Sequence, residues 1–184
     1  MSFDTVAHNH SRQQFDGVSS VWLFGYGSLI YKVDFPFLEQ QPATIEGWAR
    51  RFWQGSHDHR GTPEAPGRVV TLISQPGATC KGVAYRVSPD VFEHLDVREK
   101  NGYLRFSTPM RFDDGSSAEG LVYIATEDNE AFLGPAPSLD IARQIASSSG
   151  PSGPNSEYLL KLAEALRALG DHDPHVFELE SHLL

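Results

Sequence analysis

One cysteine, Cys80, stands in 184 residues, so the chain cannot close an internal disulfide, which fits a reducing, cytoplasmic setting. No apolar run approaches the roughly 20 residues that a membrane-spanning helix needs. Basic residues are in deficit. Fifteen Lys and Arg against 24 Asp and Glu give a formal net charge of −9, which argues against a nucleic-acid-binding surface and against attraction to an anionic membrane. The first twenty residues lack the basic start and apolar segment of a secretory signal. They are polar and read as a disordered extension, leaving 21–184 as a single domain large enough for one sizeable core.

The informative residues are concentrated in a few places. The apolar run Val21-Trp22-Leu23-Phe24 breaks into Gly25-Tyr26-Gly27-Ser28 and resumes as Leu29-Ile30. Strand interiors avoid glycine, which packs nothing and costs entropy, so two glycines inside such a run mark a close backbone approach. A turn of that kind can aim several N–H groups at one point, suiting an anion or a carbonyl oxygen that gains charge during reaction. Alone, the pattern reads more readily as a tight turn between buried strands. A second segment, Asp96-Val97-Arg98-Glu99-Lys100-Asn101-Gly102-Tyr103, shifts that balance.

Short strands are expected over 21–24, 44–55, 68–74, 82–87, 104–112 and 120–125, with Ile45, Trp48, Phe52 and Trp53 as buried candidates. A short helix interrupts them, with Ser88 as cap, Pro89 in the first turn and Val91, Phe92 and Leu95 at helical spacing. The last third is helical. Leu139, Ala142, Ile145 and Ala146 form one stripe. Leu159, Leu162, Leu166 and Leu169 form a second, on a helix opened by Asn155 or Ser156 and stopped by Gly170, and Val176, Leu179 and Leu183 suggest a terminal helix. Strands first and helices last predict an α+β domain, with the strands able to close into a small barrel packed by helices.

These blocks together resemble the ChaC family of γ-glutamylcyclotransferases, the branch that acts on glutathione. The resemblance takes in Tyr26-Gly27-Ser28-Leu29, Arg50-Arg51-Phe52-Trp53-Gln54-Gly55-Ser56, Asp58-His59-Arg60-Gly61, Pro66-Gly67-Arg68-Val69-Val70-Thr71-Leu72, Gly82-Val83-Ala84-Tyr85-Arg86 and the Glu99 segment. It continues through Leu133-Gly134-Pro135-Ala136-Pro137 and Gly150-Pro151-Ser152-Gly153 with Asn155, Glu157 and Tyr158. Tyr31 and Asn101 depart from it, standing where tryptophan and glycine are expected. Asn tolerates glycine-like backbone angles better than most residues.

The resemblance implies a γ-glutamylcyclotransferase-like fold, a small mixed barrel with a helical C-terminal third. It also implies a reaction in which the substrate attacks itself: the α-amine of the γ-glutamyl group adds to its own γ-carbonyl, releasing 5-oxoproline and, from glutathione, Cys-Gly. Holding nucleophile and electrophile in the attacking conformer is then most of the work, and well-oriented intramolecular reactions gain about 7–11 kcal/mol this way. Such chemistry requires no cofactor, metal or protein nucleophile. The partner implied is reduced glutathione.

Glu99 is the implied base and then acid. By spacing alone it reads as a solvated member of an Arg-Glu-Lys run. Gly25, Tyr26, Gly27, Ser28, Leu29 and Ile30 would cradle the γ-glutamyl part, with Tyr103, Asn155 and Tyr158 as weaker wall candidates. Strand alternation would turn Arg98 and Lys100 away from Glu99. Arg50 and Arg51 either meet the substrate's glycyl carboxylate or pair with surface acids. His57 and His59 read as solvated or locally hydrogen-bonded rather than as metal ligands, and Cys80 as a small buried or loop residue rather than a catalytic thiol. Two further readings stay open: the same ring closure on other γ-glutamyl amino acids or amines, and a catalytically silent domain that binds a ligand or partner.

Overall fold

The β-branched and aromatic runs of the first two-thirds fold into five strands that close on themselves. In the computed structural model, which describes residues 19–99 and 102–184, these are β1 (Val21–Gly25), β2 (Glu39–Ser56), β3 (Gly67–Val87), β4 (Tyr103–Phe112) and β5 (Ser117–Ala125). The barrel order is β1-β3-β2-β4-β5. Its neighbours are antiparallel except β1 and β5, which meet in parallel at Leu23 and Leu121. The fold is therefore the expected α+β arrangement around a small mixed barrel. Residues 1–18 and 100–101 lie outside the described residues, and with them the reading of the N-terminal extension, of Lys100 and of Asn101.

The two strands expected at 68–74 and 82–87 are one. β2 and β3 form a long hairpin paired from Ser56 with Gly67 to Glu39 with Arg86. Thr79 pairs with Glu46 and Ser74 with Trp48, so residues 75–78 swell outward opposite Gly47 as an irregularity in the ladder. That stretch is largely exposed and carries no apolar alternation to read. Leu29 and Ile30 do not resume a strand either. They belong to a single helical turn, α1 (Ser28–Tyr31).

The helix α2 (Val91–Arg98) forms where helical spacing predicts it. Its N-cap is Asp90, without a side-chain capping bond, rather than Ser88. The last third supplies α3 (Ser138–Ser147), a two-residue hairpin β6 (Ser149–Gly150) and β7 (Gly153–Pro154), α4 (Asn155–Ala168) and α5 (Pro174–Leu183). Gly170, at φ +76, follows the end of α4. Asp173 caps α5 by accepting from the Val176 N–H at 3.2 Å.

Two apolar clusters set the relative positions of barrel and helices. Ile45, Phe52, Leu72 and Val122 of the barrel pack with Ile145, Leu159, Leu162, Leu166 and Leu179, seating the C-terminal helices against the barrel. Phe92 and Leu95 of α2 are buried with Leu23, Tyr85, Val87 and Tyr123. Each such side chain contributes about 1.5–3 kcal/mol, and the second cluster fixes where the end of α2 lies. Trp48 and Trp53 are only partly buried. No described helix is long and apolar enough to cross a membrane.

Candidate active site

An inner cavity of about 40 Å³ and an outer one of about 190 Å³ share Ser28, Glu99, Tyr103 and Tyr158 in their walls. Tyr26, Gly27 and Leu29 complete the inner wall with Phe24, Val70 and Tyr123. The turn after β1 thus comes together with Glu99 and with both expected tyrosines.

Space dictates the glycines of that turn. A Cβ on Gly25 would lie 2.8 Å from the Leu29 Cβ, and one on Gly27 would lie 2.7 Å from Val70 Cγ2. The Tyr26 carbonyl accepts from Arg50 Nε at 2.7 Å. Because a trans peptide sets N–H opposite to C=O, this bond turns the Gly27 N–H away from Arg50. Among the described residues, the N–H groups of Gly27, Ser28 and Leu29 donate to no acceptor. Three donors along an inner wall can meet an oxygen that gains negative charge.

The aromatic walls are held by the backbone. Tyr26 donates its hydroxyl proton to the Tyr123 carbonyl at 2.5 Å. Tyr103 donates to the Val70 carbonyl at 2.8 Å, while the Val70 N–H donates to the Tyr158 hydroxyl at 3.2 Å. Burial holds Tyr26, Tyr103 and Tyr158 above the ordinary phenol pKa, so they present neutral hydroxyls.

Glu99 closes α2 as its C-cap, its N–H donating to the Leu95 carbonyl at 2.8 Å. Its side chain keeps 18% exposure. Burial raises its carboxyl pKa, opposed by Arg98 and His59 and reinforced by Asp58 and Asp34. The sequence suggests a strand here, with Arg98 facing away. Instead Glu99 ends a helix, and Arg98 lines the same outer cavity with Nε 3.8 Å from Glu99 Oε1. Arg98 also donates to Ser28 Oγ at 3.2 Å and pairs with Asp34 at 2.9 Å. Beneath them the nearly inaccessible Asp96 pairs with Arg105 at 3.2 Å and accepts the Tyr123 hydroxyl at 2.6 Å, fastening the last turn of α2 to β4 and β5.

Three expected residues border neither cavity. Gly25 and Ile30 frame the turn from behind. Asn155 is fully buried and engages the backbone of Arg68, accepting its N–H at 2.8 Å and donating to its carbonyl at 2.9 Å. Arg50 is likewise withdrawn, bonded to the carbonyls of Tyr26 and Lys81 and to Asp173 at 2.7 Å. Arg51 donates to the Arg50 carbonyl. Burial pushes the Cys80 thiol up to about 11, which removes its thiolate. The outer wall instead brings in Lys32, His59 and Arg60. Nothing local in the sequence marks these as inward-facing, although His59 and Arg60 sit in one of the recognised blocks.

The profile of the ChaC-like protein family matches residues 21–184. This chain belongs to that ChaC-like family. It is 48% identical over 176 residues to a γ-glutamylcyclotransferase 2-3 of Arabidopsis thaliana, covering 89% of this chain and 88% of the relative. It is 46% identical over 179 residues to a glutathione-specific γ-glutamylcyclotransferase 1 of Danio rerio, covering 91% of each. A solved yeast γ-glutamylcyclotransferase specific to glutathione superposes with a TM-score of 0.84 at 36% identity, over 89% of this chain and 95% of that one. The ChaC-like barrel and its helical last third are thus shared with a solved relative across most of their length.

Proposed function

We propose that this protein is a glutathione-specific γ-glutamylcyclotransferase with Glu99 as its general base and acid. One observation carries the reading: a carboxylate raised by burial shares a cavity with the unengaged N–H groups of Gly27, Ser28 and Leu29, far away in sequence. The relatives' names support the substrate.

The α-ammonium must lose a proton before its nitrogen can attack. Ordinary values near 4.3 for Glu and about 8 for an α-amine leave a gap of about 3.5 units, or roughly 5 kcal/mol, against transfer to Glu99. Burial of Glu99 narrows that gap. The amine nitrogen then bonds to the γ-carbonyl carbon, and the oxygen, gaining charge, turns to the N–H groups of the turn. Collapse breaks the bond to the cysteinyl nitrogen, which takes the proton held by Glu99 as it leaves, and the second proton of the ring nitrogen passes to the freed amine, which ends as an ammonium. Ring closure consumes no water, and atoms balance as 5-oxoproline plus Cys-Gly. The neutral tyrosines Tyr26, Tyr103 and Tyr158 shape the cavity around the γ-glutamyl chain and hold Val70 against it.

The test is release of 5-oxoproline and Cys-Gly from reduced glutathione by the purified protein, and its loss in Glu99→Gln. Gln keeps the shape but accepts no proton, so kcat falls at least about 10²-fold. The acid limb of kcat/KM in the wild type lies above the ordinary Glu value, and this limb vanishes in the mutant. Activity in Glu99→Gln within a few-fold of wild type would move the base elsewhere. Turnover of γ-glutamyl-alanine equal to that of glutathione would make the protein a general γ-glutamylcyclotransferase, and oxidised glutathione is expected to be excluded.

A further inference from the structure

The outer cavity has an asymmetry that the ring-closing chemistry does not use. The inner cavity holds no basic side chain, whereas Lys32, His59, Arg60 and Arg98 all face the outer one. Three of these are poorly suited to fixing a ligand. Arg98 already meets Asp34, Glu99 and Ser28. His59 is half exposed beside Asp58 at 3.6 Å. Lys32 is an exposed, flexible ammonium on the rim.

Arg60 differs from them. Its side chain is 6% exposed, and both of its side-chain hydrogen bonds leave from Nη1, to the Pro154 carbonyl at 3.0 Å and to Glu157 Oε1 at 3.3 Å. Its Nε and Nη2 donate to no acceptor among the described residues. A buried guanidinium with one unmet edge is costly unless something completes it. The buried Tyr31 hydroxyl lies beside the same guanidinium. Arg60 thus presents a fixed cation to the outer cavity.

The loop that carries Arg60 is tightly packed. A Cβ on Gly61 would lie 2.1 Å from the Gly67 nitrogen, and one on Gly150 would lie 2.5 Å from the His59 carbonyl. The Arg60 N–H donates to Ser56 Oγ at 2.9 Å, and the Ser152 N–H donates to the His59 carbonyl at 2.9 Å. A donor edge held this way is pre-organised and loses little freedom on meeting a planar acceptor.

We propose that Arg60 binds the terminal carboxylate of the substrate, so that recognition of a tripeptide over a γ-glutamyl amine is set at this edge. The inference rests on the proposed function. With the γ-glutamyl end in the inner cavity, the remainder of the peptide extends into the outer one, where the free Nε–Nη2 edge matches a carboxylate in bidentate fashion. A site built around such a group rejects a ligand lacking it.

The experiment compares kcat/KM for glutathione and for glutathione capped as its C-terminal primary amide, in wild type, Arg60→Met and Arg60→Lys. In the wild type, capping lowers kcat/KM about 10- to 100-fold, the range a charge-assisted hydrogen bond carries. In Arg60→Met that preference collapses below about threefold, and Arg60→Lys, a point charge without the fork, retains part of it. The cycle is therefore strongly non-additive. Equal use of both peptides by the wild type overturns the assignment to Arg60 while leaving the ring-closing activity intact. A full preference persisting in Arg60→Met does the same. Absence of 5-oxoproline from either peptide overturns the proposed function itself. The wild-type comparison needs no variant, so poor folding of Arg60→Met would not shield the proposal.

Discussion

At the scale of single residues, the burial that would suit Glu99 to the proposed role of base also makes it a liability to the fold. Burial raises its folded-state pKa above that of the unfolded chain. The folded protein then binds the proton more tightly, so the stabilising contribution is present at low pH and fades as pH rises from the ordinary value near 4.3 through the raised one. Replacing Glu99 by Gln removes that ionisation, so Glu99→Gln should melt higher than wild type at neutral pH, with the advantage shrinking as pH falls towards about 4.3 and gone below it. Thermal melts across that range check it, and a mutant that melts lower at pH 7 would mean that Arg98 and the other neighbours outweigh burial. Glu99 itself was legible through its block, with Gly102-Tyr103 after it. The direction of Arg98 was not, because alternation belongs to strands, whereas helical geometry puts consecutive side chains about 100° apart and leaves both on one wall.

At the scale of elements, periodicity exposed what it could. The stripe Leu159, Leu162 and Leu166 predicted α4 and its buried face, and glycine at 170 marked its stop. The swelling at 75–78 was illegible because the largely exposed Gln75, Pro76, Gly77 and Ala78 read as a turn and carry no apolar alternation. The roles of histidines were also hidden from spacing. His175, in the first turn of α5, accepts the Phe52 N–H on Nε2 at 3.0 Å, and burial lowers its pKa to about 4. Protonation would break that bond and charge a partly buried ring. The depressed pKa makes this stabilisation fully present above about 6.5, the unfolded value, and lost progressively as pH falls towards 4, by at most about 3 kcal/mol. Urea unfolding of His175→Gln, in which the amide oxygen can still accept from Phe52, should flatten that part of the pH–stability curve. An unchanged slope would assign the acid sensitivity to other groups.

At the scale of the whole molecule, the barrel and the helical third are joined at the turn after β1 by one buried cation. Arg50, on β2, donates Nε to the Tyr26 carbonyl, Nη2 to the Lys81 carbonyl on β3, and Nη1 to Asp173 at 2.7 Å, with Asp171 3.4 Å away. Asp173 in turn caps α5 through its other oxygen. The start of the last helix, two strands and the peptide that aims the Gly27 N–H are thus tied to one guanidinium whose side chain is 1% exposed. In sequence Arg50 reads as a surface or substrate-facing residue, since an arginine flanked by Ala49 and Arg51 gives no sign of total burial. Truncation to Arg50→Met leaves a buried carboxylate and two carbonyls without their donor, so urea unfolding should show a loss of about 3–5 kcal/mol. Adding Asp173→Asn, which keeps the capping oxygen but removes the orphaned charge, should restore part of that stability. Because the Tyr26–Gly27 peptide also loses its tether, 5-oxoproline release from glutathione should fall further than the folded fraction accounts for, in kcat more than in KM, and the double variant should not regain it. A loss below about 1 kcal/mol, or activity that tracks the folded fraction alone, would reduce Arg50 to a packing residue with no hold on the turn.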